Sequence, residues 1–143
     1  MRARLLFLPI ALVACGGGDK APDPSSSAAA PAAQVASAAS YDPAKITPAM
    51  VALGDSIFHG KIGASSCQAC HGIGGQNGTA APDLTDGDWL HSDGSFEGIA
   101  KTIKAGVMAP KQSTGVMPPY GGVMLPEDRL AAVAAYVYKL SNP

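Results

Sequence analysis

Five consecutive residues, Cys67-Gln68-Ala69-Cys70-His71, place two thiols three positions apart and an imidazole directly behind the second. On a helical turn, positions three apart share a face. The order C-x-x-C-H is the attachment sequence of a covalent haem c, in which each thiol adds across one vinyl group and the histidine supplies an iron ligand. Because the spacing is short, the site is largely local and can be loaded before the rest of the domain folds. Whatever surrounds it must then pack around a porphyrin.

Two other uses of these residues fit less well. A structural zinc site takes four ligands, usually with a second Cys or His pair. Beyond the pentapeptide only His59 and His91 remain, neither in paired spacing, and both read as ordinary exposed or loop histidines. A thioredoxin-like dithiol belongs beside a beta-alpha-beta unit, and no alternating run suggests a strand.

The chain has 143 residues, with Lys+Arg 10 against Asp+Glu 11 and a formal net charge of -1. That bounds it to one domain of ordinary size. A nucleic-acid binder would show a basic surplus or stripe, and none is present. Arg2 and Arg4 precede the apolar run Leu5 to Val13, too short to span a bilayer and shaped like a secretory signal. Leu12-Val13-Ala14-Cys15 resembles a bacterial lipobox, so residues 1–14 are expected to be a signal peptide and Cys15 the lipidated first residue. From Ala21 to Ser40, seventeen of the twenty residues are Ala, Ser or Pro, too little apolar surface to offset ordering entropy. Residues 15–43 accordingly read as lipidated cysteine plus disordered tether, and 44–143 as the folded domain. At about 100 residues one core is only marginally sufficient.

Helical signals dominate that domain. Thr47 before Pro48 is a cap followed by proline at the first helical position, and Met50, Leu53, Ile57 and Phe58 recur at helical spacing, which predicts a helix over 48–59. Gly54 on the same face lets another helix approach closely. Ser95, the stripe Phe96, Ile99, Ala100 and Ile103, and the terminator Gly106 mark a second helix. Pro126, Glu127 and Asp128 open a third, with Leu130, Val133, Ala134, Val137 and Leu140 on one face. The expected fold is all-alpha, about three main helices with long loops over 72–88 and 107–125 that serve a function or wrap something.

Residues 48 to 141 resemble a monohaem class I cytochrome c domain. The resemblance rests on Gly54 and Phe58 in the first helix, the attachment sequence 67 to 71, Pro82 in the next loop, Met117-Pro118-Pro119-Tyr120, and Tyr136 in the closing helix. The stretch Pro82 to Leu90 and the closing sequence are particularly similar to the cytochrome c domains of cbb-type haem-copper oxidase subunits. In that family the first and last helices cross, and Gly54, Phe58 and Tyr136 occupy the packing positions. The resemblance also implies a methionine sixth ligand, and Met117 matches its motif of methionine then proline; Met108 and Met124 are the alternatives. It further implies that the Pro82 carbonyl accepts the His71 ring proton and that Trp89 lies near a haem propionate. Pro118 and Tyr120 complete the expected pocket.

The function expected from these residues is electron transfer by one His/Met-ligated haem c, in a lipid-anchored cytochrome on the periplasmic face of a bacterial membrane. Its partners would be other redox proteins, with Lys61, Lys101, Lys104 and Lys111 either a docking patch or simply solvated. Two alternatives stand beside a monomeric shuttle. One is a haem-carrying subunit of a larger respiratory oxidoreductase or terminal oxidase; the other is a haem sensor or peroxidase with an open sixth site.

Overall fold

The structure is a computed structural model that describes residues 41–143. The signal segment, Cys15 and most of the expected tether lie outside the described residues. Four α-helices follow in order, α1 (Pro48–Phe58), α2 (Gln68–His71), α3 (Phe96–Ala105) and α4 (Glu127–Ser141), with short 3-10 turns between them. Two capping signals act as the sequence suggests: Thr47 Oγ1 accepts the Met50 amide at 3.2 Å and Ser95 Oγ accepts that of Gly98 at 2.9 Å. The first helix stops one residue earlier than expected, at Phe58. Among the described residues no strand forms, and the nearest thing to one is a single antiparallel bridge between Val107 and Met117.

The core lies where α4 packs against both α1 and α3. Ile57 and Phe58 from α1, Phe96, Ile99 and Ala100 from α3, and Leu130, Val133, Ala134 and Val137 from α4 are all buried. Burial on α4 is wider than the single stripe expected from its periodicity, since every residue from Leu130 to Ala135 is enclosed. A helix flanked by two others has no solvent face along that stretch, and alanine lets both neighbours come close.

At Gly54 the backbones of α1 and α4 come close. A Cβ built there would collide with the Ala132 carbonyl oxygen and come within 2.7 Å of Tyr136 Cβ. One turn on, the Phe58 and Tyr136 rings meet at a tilt of 52° with centroids 5.2 Å apart. Gly54→Ala therefore forces the two helices apart. Although alanine gains roughly 1 kcal/mol of helix propensity, overpacking costs about 1–3 kcal/mol, so a net loss of up to about 2 kcal/mol is expected, read from denaturant unfolding of the haem-loaded protein.

Tyr41, placed within the tether by the sequence, belongs to the packed domain instead. Its ring meets Phe96 edge-on at 5.2 Å, and its hydroxyl donates to Glu127 Oε1 at 2.7 Å, at the start of α4. Burial pushes the Tyr41 phenol up, and the same hydrogen bond draws the Glu127 carboxyl below its usual range. Among the described residues no helix is long and apolar enough to cross a membrane.

Candidate functional site

The thiol segment folds locally, as its spacing demands. Cys67 already has helical backbone angles (φ -61, ψ -36), its carbonyl accepts the His71 amide at 3.0 Å, and the turn ends at Gly72. Gln68 Nε2 donates to the His59 carbonyl at 3.1 Å, which ties α2 to the end of α1. The two sulfurs differ in setting. Cys67 is half-buried and lines a cavity, whereas Cys70 is exposed, and burial pushes the Cys67 thiol up.

His71 is oriented from outside its own helix. Its Nδ1 lies 3.0 Å from the Pro82 carbonyl oxygen. A carbonyl only accepts, so Nδ1 carries the proton and Nε2 keeps its lone pair. Burial lowers the His71 pKa, with the Pro82 bond opposing, and this favours the neutral form a metal requires.

Met117 is presented by a loop pinned at both flanks. Its amide donates to the Val107 carbonyl at 2.9 Å, and its carbonyl accepts the Val107 amide at 2.7 Å. Gly106, at φ +72, packs on this backbone: a Cβ there would lie 2.5 Å from the Met117 carbonyl oxygen and 2.6 Å from Pro119 N. Two residues upstream, the Gly115 amide donates to the Ala80 carbonyl at 3.0 Å. The loop that carries Met117 and the loop that orients His71 are thus bonded to each other.

Between them lies a cleft of about 930 Å³, the open solvent at its mouth included, whose walls include Phe58, Leu84, Ile99, Ile103, Val133 and Val137. Cys67, His71 and Met117 all line it. An apolar space of this size suits a large flat prosthetic group. The donor set is that of a haem c: a thiol pair on one turn, a neutral imidazole with Nε2 uncommitted, and a thioether.

The structure separates the candidate methionines. Met117 is half-buried in the cavity wall, while Met108 is 66% exposed and Met124 80% exposed, and neither lines the cavity. Pro82, Trp89 and Tyr120 line it as well. Tyr120 does so from a left-handed backbone (φ 56, ψ 21), a conformation that costs a non-glycine residue of order 1–3 kcal/mol. Pro118 is a correction: it is exposed and absent from the lining. Its backbone is extended (φ -63, ψ 158), and successive side chains of an extended segment face opposite sides, so Met117 turns in while Pro118 turns out.

His91, read from the sequence as an ordinary exposed or loop histidine, lines the cavity. Only the fold brings it there, through loop contacts twenty residues apart in sequence. His59 sits elsewhere, beside Asp55 at the end of α1. The four lysines considered for docking are all engaged: Lys61 with Asp55, Lys101 with Glu97, Lys104 with Glu127, and Lys111 Nζ with the Leu90 carbonyl.

Residues 49–137 match the family described as cytochrome C oxidase, cbb3-type, subunit III. The chain is 34% identical over 95 residues to the cbb3-type cytochrome c oxidase subunit CcoP of Rubrivivax gelatinosus, which covers 66% of this chain and 27% of that protein. It is 36% identical over 95 residues to the subunit FixP of Sinorhizobium medicae (strain WSM419), covering 64% of this chain and 30% of the relative. To the cytochrome c6 of Chlorolobion braunii it is 39% identical over 91 residues, 62% of this chain and 88% of that protein. The chain therefore spans under a third of the two oxidase subunits and nearly all of the small cytochrome. No solved structure matches.

Proposed function

The chain belongs to the cytochrome c oxidase, cbb3-type, subunit III family, and we propose that it is a one-electron carrier acting as a haem-bearing subunit of a cbb-type terminal oxidase. The observation that carries this reading is the cavity itself, which brings Cys67, His71 and Met117 to one apolar space. Haem c, when bound, supplies an iron that cycles between ferrous and ferric. Cys67 and Cys70 would hold it through thioethers, and His71 and Met117 would ligate its iron. The Pro82 carbonyl fixes the imidazole, Trp89 would lie near a propionate, and Tyr120 closes the wall. Two side-chain ligands would leave the iron no room for a substrate, and pairing a thioether with histidine would raise its potential. Both effects favour electron transfer over oxygen chemistry.

An independent shuttle is the second reading, favoured by the cytochrome c6 match, in which a comparable domain makes up nearly the whole protein. Either way, export and lipidation at Cys15 would hold the domain at the periplasmic face of a membrane, and the tether would raise its effective concentration near partners. Redox docking of this kind is small and transient.

The test is affinity purification of the tagged full chain from detergent-solubilised membranes. Stoichiometric recovery of a haem-copper catalytic subunit is the expected result; recovery of the chain alone supports the shuttle. In the same preparation Cys15→Ser is expected to lose the lipid mass and leave the membrane fraction. A ferrous haem that binds carbon monoxide readily in the wild type would overturn both readings in favour of an open sixth site.

A further inference from the structure

A haem c brings two propionate carboxylates into its pocket, and the residues lining this cavity do little to balance them. Among the described residues that line it, none is a lysine or arginine, while Asp83 and Asp88 both do. The Asp83 carboxyl already accepts the Thr85 amide at 2.7 Å and hydroxyl at 2.6 Å, which hold it below the usual carboxylate range, so it adds a fixed negative charge. Of the two imidazoles in the lining, His71 has its ring proton on the Pro82 carbonyl. That leaves His91.

The geometry defines what His91 offers. Its Nε2 lies 3.2 Å from the Lys111 amide nitrogen. That backbone N–H donates, so Nε2 is the acceptor and the proton of the neutral ring resides on Nδ1. Around it the backbone is stapled: the His91 carbonyl accepts the Thr102 hydroxyl at 3.0 Å, and Lys111 Nζ donates to the Leu90 carbonyl at 2.8 Å. The ring is therefore held in one orientation by α3 and by the loop ahead of Met117, with one N–H still to place. Lys101, a cation on α3 that lines a surface hollow together with His91, is paired with Glu97.

We propose that His91 donates its Nδ1 proton to a haem propionate, making it the positioning residue of the porphyrin's carboxylate edge. This rests on the reading that Cys67 to His71 carry haem c. A donor on a propionate offsets negative charge close to the iron, which stabilises the ferrous state relative to the ferric. The Trp89 indole and the Tyr120 hydroxyl, both donors, line the same wall.

The experiment compares wild type, His91→Leu and His91→Gln as haem-loaded full chains. Glutamine can accept the Lys111 N–H through its carbonyl and donate through its amide, so it replaces both functions of the ring. In His91→Leu the equilibrium constant for reduction against a fixed reference is expected to fall about twofold to threefold, the part of a lost charge-assisted hydrogen bond that differs between the ferrous and ferric states. His91→Gln is expected to restore most of it, and the propionate bending vibration should follow the same order. Retention of the far-red methionine-to-iron band in all three chains shows that the ligand loop is intact. The proposal is overturned if leucine leaves the potential unchanged, or if glutamine is as low as leucine. It is also overturned if leucine abolishes the far-red band, since His91 would then only brace the Met117 loop. Absence of covalent haem in the wild type would overturn the haem reading itself, and a haemochrome assay on the same samples distinguishes that failure.

Discussion

Met117→Ala is expected to abolish the far-red methionine-to-iron band, to open the ferrous haem to carbon monoxide, and to lower the reduction potential. The fall should be at least roughly 59 mV, a tenfold change in a one-electron equilibrium, because a thioether opposite histidine is the ligand pair that raises it. Met117 is the methionine in the cavity wall, held there by its paired hydrogen bonds to Val107. Met108→Ala, at a side chain 66% exposed and outside the lining, is the matched control and should leave the spectrum and potential as in the wild type. Survival of the band in Met117→Ala, or its loss in Met108→Ala, would refute the assignment.

Removal of both thiols has the larger structural effect. In Cys67→Ala with Cys70→Ala no thioether can form, and haem should extract completely into acidified organic solvent. The protein is also expected to lose most of its helical circular dichroism. Without haem the apolar walls, Phe58, Leu84, Ile99, Ile103, Val133 and Val137 among them, lose the group they pack against, and losing such contacts costs about 2–5 kcal/mol even for a single large side chain. Whole-domain stability is only about 5–15 kcal/mol. Haem retained after extraction would disprove the covalent linkage, and full native helicity without haem would show that α1, α3 and α4 suffice as a core.

Much of this architecture was legible because the signals are local. Thr47-Pro48 and Ser95 with Gly106 mark helix ends through hydrogen bonds and backbone angles within a few residues. Gly54 and Phe58 were marked by their place on one face of α1, and the family resemblance supplied their partner Tyr136. What escaped was set by contacts between distant segments. Tyr41 looked like tether because its partners, Phe96 and Glu127, lie 55 and 86 positions away. The all-round burial of Ala131 to Ala135 was hidden because periodicity marks one face, whereas α4 meets two helices. Pro118 was expected in the pocket as part of the Met117-Pro118-Pro119-Tyr120 motif, but its extended backbone turns it to the side opposite Met117.

The sequence by itself determined the covalent chemistry of the site. Two thiols and an imidazole within five residues need only one helical turn to converge, and one turn is a local structure. Tertiary structure alone decided what faces the other side of that chemistry. Which of three loop methionines enters the cavity, and that His91 lines it with its ring held by the Lys111 amide, follow from a bridge at Val107 and a hydrogen bond from Gly115 to Ala80. Such long-range closures are backbone hydrogen bonds, available to almost any residue, and so leave little trace in side-chain identity.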